Sequence, residues 1–388
     1  MLVGAVAILV MAVVGVGLAA ATGKLTFVNA KFDGQGGITG LDFAWDVVAS
    51  PDGRSVYATG DNSDALVTFR RNGDTGKLRY VNTKVDGQGG VEGLDGANGL
   101  AMSPNARTVY VASAIDDAIA TFKRNRKTGK LRFVNAKFDG QGGVDGLDGA
   151  EGVTVAPNGR NVYVGSFDDD AVATFKRNRD TGKLRFANAK FDGQGGVEGL
   201  DGAFEVSASP DAGSVYVASE NDSAVAAFKR KRDGTLRFIN AKFDGQGGAK
   251  LDYATGLQVS PDSRNVYVSA AHDNAVDTFK RNRDTGKLKF VNAKVDGKGG
   301  VNGIASTFDL VVSPDGRNVY ASGNADNAVA SFKRGARTGK LRFINAKFDG
   351  QGKVDGLLGA YFMSASPDGD NVYVTADNDD SVVTFRRR

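Results

Sequence analysis

Cysteine is absent from the 388 residues, and histidine and tryptophan occur once each. Without cysteine there are no disulfides, thiolate-held metals or thiol nucleophiles. A single His excludes a polyhistidine metal centre and leaves His272 as the one imidazole for acid–base work. Beside Asp273, in a polar stretch, it reads as a solvated side chain. Helical signals are missing as well, since no 3.6-residue apolar period runs along the chain. The only long apolar run is LVGAVAILVMAVVGVGL (2–18), followed by Ala19-Ala20-Ala21. That pattern predicts a signal peptide over residues 1–21, although no Lys or Arg precedes it. An uncleaved anchor is the alternative, because about 17–20 apolar residues span a bilayer. Either reading predicts an extracytoplasmic protein, secreted, periplasmic or at the cell surface, with residues 22–388 as a single domain.

What is abundant is repetition. Leucines at 25, 78, 131, 184, 236, 288 and 341 follow TGK or a variant of it, at a period of 52–53. The seven prolines are used once per period, each opening a turn such as PDGR (51–54) or PNGR (157–160). Each period holds four short segments rich in Val, Tyr, Phe and Thr. In the third copy they are GVTVA (152–156), NVYVGS (161–166), AVATFKR (171–177) and KLRFANAKF (183–191). Four antiparallel strands per repeat of this length predict an all-β, seven-bladed β-propeller. The chain opens with an outer-type strand, KLTFVNAKF (24–32), and ends on a third-type strand, SVVTFRRR (381–388). The first is therefore expected to join the last blade and close the ring, leaving no free sheet end.

A unit such as SPDSRNVYVSAAHDNAVDTFKRNRDTGKLKF (260–290) resembles the blade of seven-bladed lactonase-type propellers. That family is named for 6-phosphogluconolactonase and is related to the carboxymuconate cyclases. The resemblance covers essentially all of 22–388 and rests on turns and core strands. It implies the propeller fold and, as an activity, lactone hydrolysis by His, Arg and Glu side chains at the channel mouth. Only the Glu type has evident counterparts here.

Charge separates by face. The turns between third and fourth strands, with Lys24 and Arg386–Arg388, hold 28 of the 49 Lys and Arg against four Asp. The net charge is only +4, so the remainder of the protein is strongly acidic. The basic end suits an anionic surface or serves solubility alone; it carries no interleaved aromatics, which disfavours nucleic acid. A monomer is expected.

The connectors between blades, such as FDGQGGVDGLDGA (138–150), carry spaced carboxylates. Calcium or another divalent cation has its best candidate ligands in Asp86, Glu92 and Asp95, in Asp139, Asp145 and Asp148, and in Asp192, Glu198 and Asp201. The competing reading is structural: Asp-Gly steps suit turns, and Asp caps nearby amides.

Differences between copies collect at two places on the acidic face. One lies five and six residues before each Pro. The other is the loop after each second strand, with pairs from Asp61-Asn62 to Asp377-Asn378. The first set gives the ligand-binding candidates Trp45, Asn98, Glu151, Phe204, Glu205, Thr255, Phe308 and Tyr361. Aromatics with carboxylates around a concavity suit a small, sugar-like or cationic ligand, or a surface protein. The alternative is that the aromatics only plug the channel. Glu151, Glu205, Asp46 and Asp309 are the candidate bases for lactone hydrolysis, with a divalent metal as electrophile if one binds.

Overall fold

The second and third strands of each copy alternate valine with tyrosine, phenylalanine, alanine or threonine, so both of their faces are apolar enough to be covered. The computed structural model, which describes residues 22–388, covers them with neighbouring blades. Seven four-stranded antiparallel sheets stand side by side. In the third blade the strands are Ala150–Val155, Asn161–Ser166, Ala171–Arg177 and Leu184–Phe191, running from channel to rim. Tyr57, Tyr110, Tyr163 and their counterparts are fully buried between blades, as are Phe69, Phe122 and Phe175. The proposed signal or anchor segment lies outside the described residues. Among those described, no helix is long and apolar enough to cross a membrane.

Ring closure is as expected. Leu25–Phe32 pairs antiparallel with Ser381–Arg387, from Leu25 opposite Arg387 to Phe32 opposite Ser381. Gly23 N donates to Arg388 O at 2.7 Å, so the two ends of the described chain are hydrogen-bonded to each other.

Blade contacts are fastened by a repeated polar latch. The last arginine of each third strand is drawn out of solvent onto the preceding blade. Arg177 Nε donates to Tyr110 Oη at 2.6 Å, and that hydroxyl donates to Gly182 O at 2.7 Å. The same exchange joins Arg124 to Tyr57, Arg230 to Tyr163, Arg281 to Tyr216, Arg334 to Tyr267 and, across the closure, Arg71 to Tyr373. Arg387 uses Asn318 and Asp315 instead. Removing one partner of such a buried bond costs about 1–3 kcal/mol. Five arginines also meet a turn carboxylate, as Arg124 meets Asp52 at 2.9 Å and Arg281 meets Asp211 at 2.6 Å. These pairs hold Asp52 and Asp211 below the usual carboxylate range despite partial burial. Arg177 and Arg230 face turns with Asn105 and Asn158 in place of Asp.

The connectors owe their shape to the carboxylates singled out as metal ligands. Asp139 Oδ1 accepts from Leu147 N at 3.0 Å, as Asp86 does from Leu94 N and Asp192 from Leu200 N. The backbone amides of Asp95, Asp148 and Asp201 donate to Asp116, Asp169 and Asp222. Glu92, Asp145 and Glu198 are exposed. Among the described residues no three carboxylate or imidazole groups are placed to hold one ion. The fifth connector, one residue shorter, is repaired differently. Asp277 replaces the Ala or Val of other third strands, and its Oδ2 accepts from Lys250 N at 2.9 Å. Its Oδ1 has no partner, and burial pushes this carboxyl up to about 8.

Three outcomes follow. Asn105→Asp supplies Arg177 with the missing carboxylate and raises the melting temperature by about 1–2 °C in differential scanning calorimetry. EDTA or millimolar Ca²⁺ shifts the midpoint by less than about 1 °C, whereas Asp139→Ala lowers stability by about 1 kcal/mol through the lost loop bond. Asp277 is protonated in the folded protein at a pH where the unfolded chain has released the proton. Its contribution is therefore complete below the unfolded pKa of about 3.9 and declines as pH rises toward the folded value. The stability of Asp277→Asn relative to the parent accordingly increases from pH 5 to pH 8, by about 1 kcal/mol per pH unit.

Candidate functional site

Six of the seven inner strands carry a bulge where they begin, the exception being Leu310–Val312. In the third blade the pairing skips from Ala150 to Val153, leaving Glu151 and Gly152 outside the ladder. Bulges re-aim side chains, and here they turn the divergent positions toward the axis. Second-strand hydroxyls fix them there. Thr59 Oγ1 accepts from Asp46 N at 3.0 Å and donates to Asn98 O of the next blade at 2.7 Å. Thr375 does the same for Phe362 N and Trp45 O. Gly99 and Gly152 are glycines of necessity, since a Cβ would lie 2.0 Å from Glu151 O and 2.3 Å from Phe204 O.

The outer member of each divergent pair forms the mouth. Phe204, Tyr361 and Phe362 pack with Trp45, Phe167 and Phe308. The Trp45 and Tyr361 ring centroids are 4.9 Å apart, edge to face, and those of Phe308 and Tyr361 are 4.6 Å apart. The space between Trp45, Glu151, Phe204, Glu205 and Phe362 is too narrow for a water molecule. The aromatics therefore do close the channel.

Beneath them lies a cavity of about 260 Å³, walled by the inner strands. Asp46, Glu205 and Asp309 line it, followed toward the basic face by Thr154, Ser207, Gln258 and Ser364. Two of the carboxylates have structural work. Innermost strands present unpaired edge amides to the channel, and side chains of the preceding blade satisfy them. Asp46 accepts from Leu100 N and Asp309 from Met363 N, both at 2.8 Å. Gln258 and Ser364 serve Val312 N and Ala49 N. Burial raises Asp309 to about 7. Asp46 and Glu205 are pushed well up by burial and then by neighbouring carboxylates, Asp309 foremost.

Above the aromatics the remaining candidates meet polar partners. Asn98 Nδ2 donates to Glu151 Oε2 at 2.8 Å, and Thr255 Oγ1 donates to Thr307 O at 3.2 Å. Burial, followed by Glu220, Asp61 and Asp168, raises Glu151 to about 8 in spite of the Asn98 bond. Glu220, which lies beside the Tyr253 hydroxyl, is raised by burial to about 7, and Asp61 to about 6. The candidates are thus divided by the plug: Glu151 above, Asp46 and Asp309 below, Glu205 at the boundary. His272 is 61% exposed and stacks on Tyr253 at 4.4 Å between centroids.

Sequence reasoning missed Tyr253 and did not promote Glu220 or Phe362 to the site. Tyr253 carried a readable signal. Four copies place glycine there, and Tyr253, like Phe43 and Ser306 of two others, takes the left-handed region, at φ +60°.

The sequence profile "Lactonase, 7-bladed beta-propeller" matches residues 87–200 and 201–357. No curated protein sequence matches the chain. Among solved structures, the periplasmic gluconolactonase of Pseudomonas aeruginosa is similar with a TM-score of 0.63 at 18% identity, over 78% of this chain and 84% of that one. Hydrazine synthase of Kuenenia stuttgartiensis gives 0.64 at 15% identity, over 92% and 99%. The propeller domain of Myceliophteria thermophila Cps50 gives 0.65 at 10% identity, over 94% and 99%. At such identities the likeness is one of fold. The profile match, spanning more than half of the sequence, goes further: the chain belongs to the seven-bladed lactonase β-propeller family.

Proposed function

We propose that this lactonase-family propeller is an extracytoplasmic ligand-binding protein that uses the mouth of its acidic face. One observation carries the reading: the groups facing the mouth and the channel are carboxylates, hydroxyls, amides and aromatic rings, with no Arg or Lys among the channel-lining residues. Hydrolysis of a lactone needs a base together with a donor or cation at the developing oxyanion. Bases are present, but inner-edge amides suited to that second task are occupied by Asp46, Asp309, Gln258 and Ser364. Aromatic rings beside Glu151 and Glu220 support recognition of a small molecule at the mouth.

Lactone hydrolysis is the competing reading, favoured by the family and by its gluconolactonase neighbour. Glucono-δ-lactone and its 6-phosphate, offered to the mature protein with and without Mg²⁺, Ca²⁺, Mn²⁺ or Zn²⁺, are expected to open no faster than in buffer. Turnover abolished by Glu205→Gln or Glu151→Gln overturns the binding reading and locates the base.

A further inference from the structure

The geometry points to a primary ammonium group as the ligand chemistry of the mouth, received by Glu151, Glu220 and Asn98 beside the rings of Tyr253, Tyr361 and Trp45. This rests on the mouth being a ligand site and adds what the ligand must be.

Hydrogen-bond accounting gives the first argument. Glu220 and Asn98 are each 3% exposed, and Glu220 Oε1 and Asn98 Oδ1 have no donor in the structure. The Asn98 orientation is set by its neighbour, because Nδ2 faces Glu151 Oε2. With Glu151 and Glu220 ionised, both unsatisfied atoms are acceptors, and an unsatisfied buried acceptor costs about 1–3 kcal/mol. A lactone or a sugar acid brings hydroxyls with one donor each alongside acceptor-only carbonyl or carboxylate oxygens. An ammonium brings three donors and no acceptor.

Charge gives the second. Glu151 is crowded by Glu220, Asp61 and Asp168, and Tyr361 by Glu151, Glu220 and Asp377. The only imidazole at the site, His272, stacks on the outer side chain of Tyr253 and faces Asp252 at 3.5 Å. The mouth thus gathers carboxyl groups that a cation would help to ionise, without an ion-paired Lys or Arg among the contacts of Glu151 and Glu220. A desolvated cation is also attracted to the faces of Trp and Tyr.

The single tryptophan, Trp45, lies in the aromatic plug and reports on the mouth by its fluorescence. The probes are putrescine, Nα-acetyl-lysinamide, tetramethylammonium and glucose, at fixed ionic strength. Putrescine or the lysine derivative saturates the signal, and their order tells a free amine from a partner's lysine side chain. Tetramethylammonium, which has no donor, binds at least about tenfold more weakly. Glu151, Glu220, Asp61, Asp168 and Asp377 face the ligand, with Tyr253, Tyr361, Asp252 and His272 at the edge. Amine affinity accordingly rises at least about tenfold from pH 6 to pH 8.5, as the raised carboxyls ionise. Glu220→Gln weakens binding by about tenfold or more, while Asp355→Asn, which removes an equal charge from an exposed connector, leaves it unchanged. The pH series on the parent protein keeps the test decisive if Glu220→Gln fails to fold. Saturation by glucose but not by amines overturns the ammonium assignment and leaves the ligand-site reading intact. No response to any probe, with lactone turnover present, overturns both.

Discussion

A buried guanidinium between each pair of blades is what the disc depends on. A propeller has no continuous sheet, because neighbouring blades meet through side chains alone. Apolar packing brings them together without fixing their rotation about the axis. The Arg–Tyr–Gly relay supplies that direction at six of the seven junctions, where the arginine must meet a hydroxyl and a turn of specified position on the blade before it, and Arg387 meets Asn318 and Asp315 at the seventh. The closing contact of Arg71 with Tyr373 uses the same chemistry as the others, so the seam between first and last blades is latched like an ordinary junction.

This latch alters the meaning of the basic ring. Counting residues assigns all its arginines to a surface, yet Arg71, Arg124, Arg177, Arg281, Arg334 and Arg387 are inside and Arg230 is half-buried. The lysines and the remaining arginines are left to face solvent. An alignment of copies within one chain shows that Arg and Tyr recur, but not that the Arg of one copy belongs to the Tyr of the copy before it. That information lies between repeats.

The same distinction explains what was legible. Strand positions, blade number and the N-terminal strand's place in the seventh blade follow from period and alternation, which act within a copy. The connectors were legible as a choice between metal and turn, and bonds such as Asp139 to Leu147 show the turn chemistry at work. The mouth was read only in part. Trp45, Phe204, Phe308 and Tyr361 do converge, but the approach of Glu220 to Tyr253 depends on a loop from one blade reaching the connector of the next. The separation of Asp46 and Asp309 from Glu151 depends on how tightly the rings pack, which no spacing reveals.

The hydrogen bond between Gly23 and Arg388 bears on orientation. Both residues stand at the end of the disc occupied by the Lys- and Arg-rich turns, opposite Trp45 and Glu151. Thr22, the first described residue, donates its hydroxyl to the same Arg388 carbonyl and stands at that end as well. The cationic rim and the carboxylate-lined opening thus stand at opposite ends of the disc, so an anionic surface and a cationic solute would each meet it from a different side.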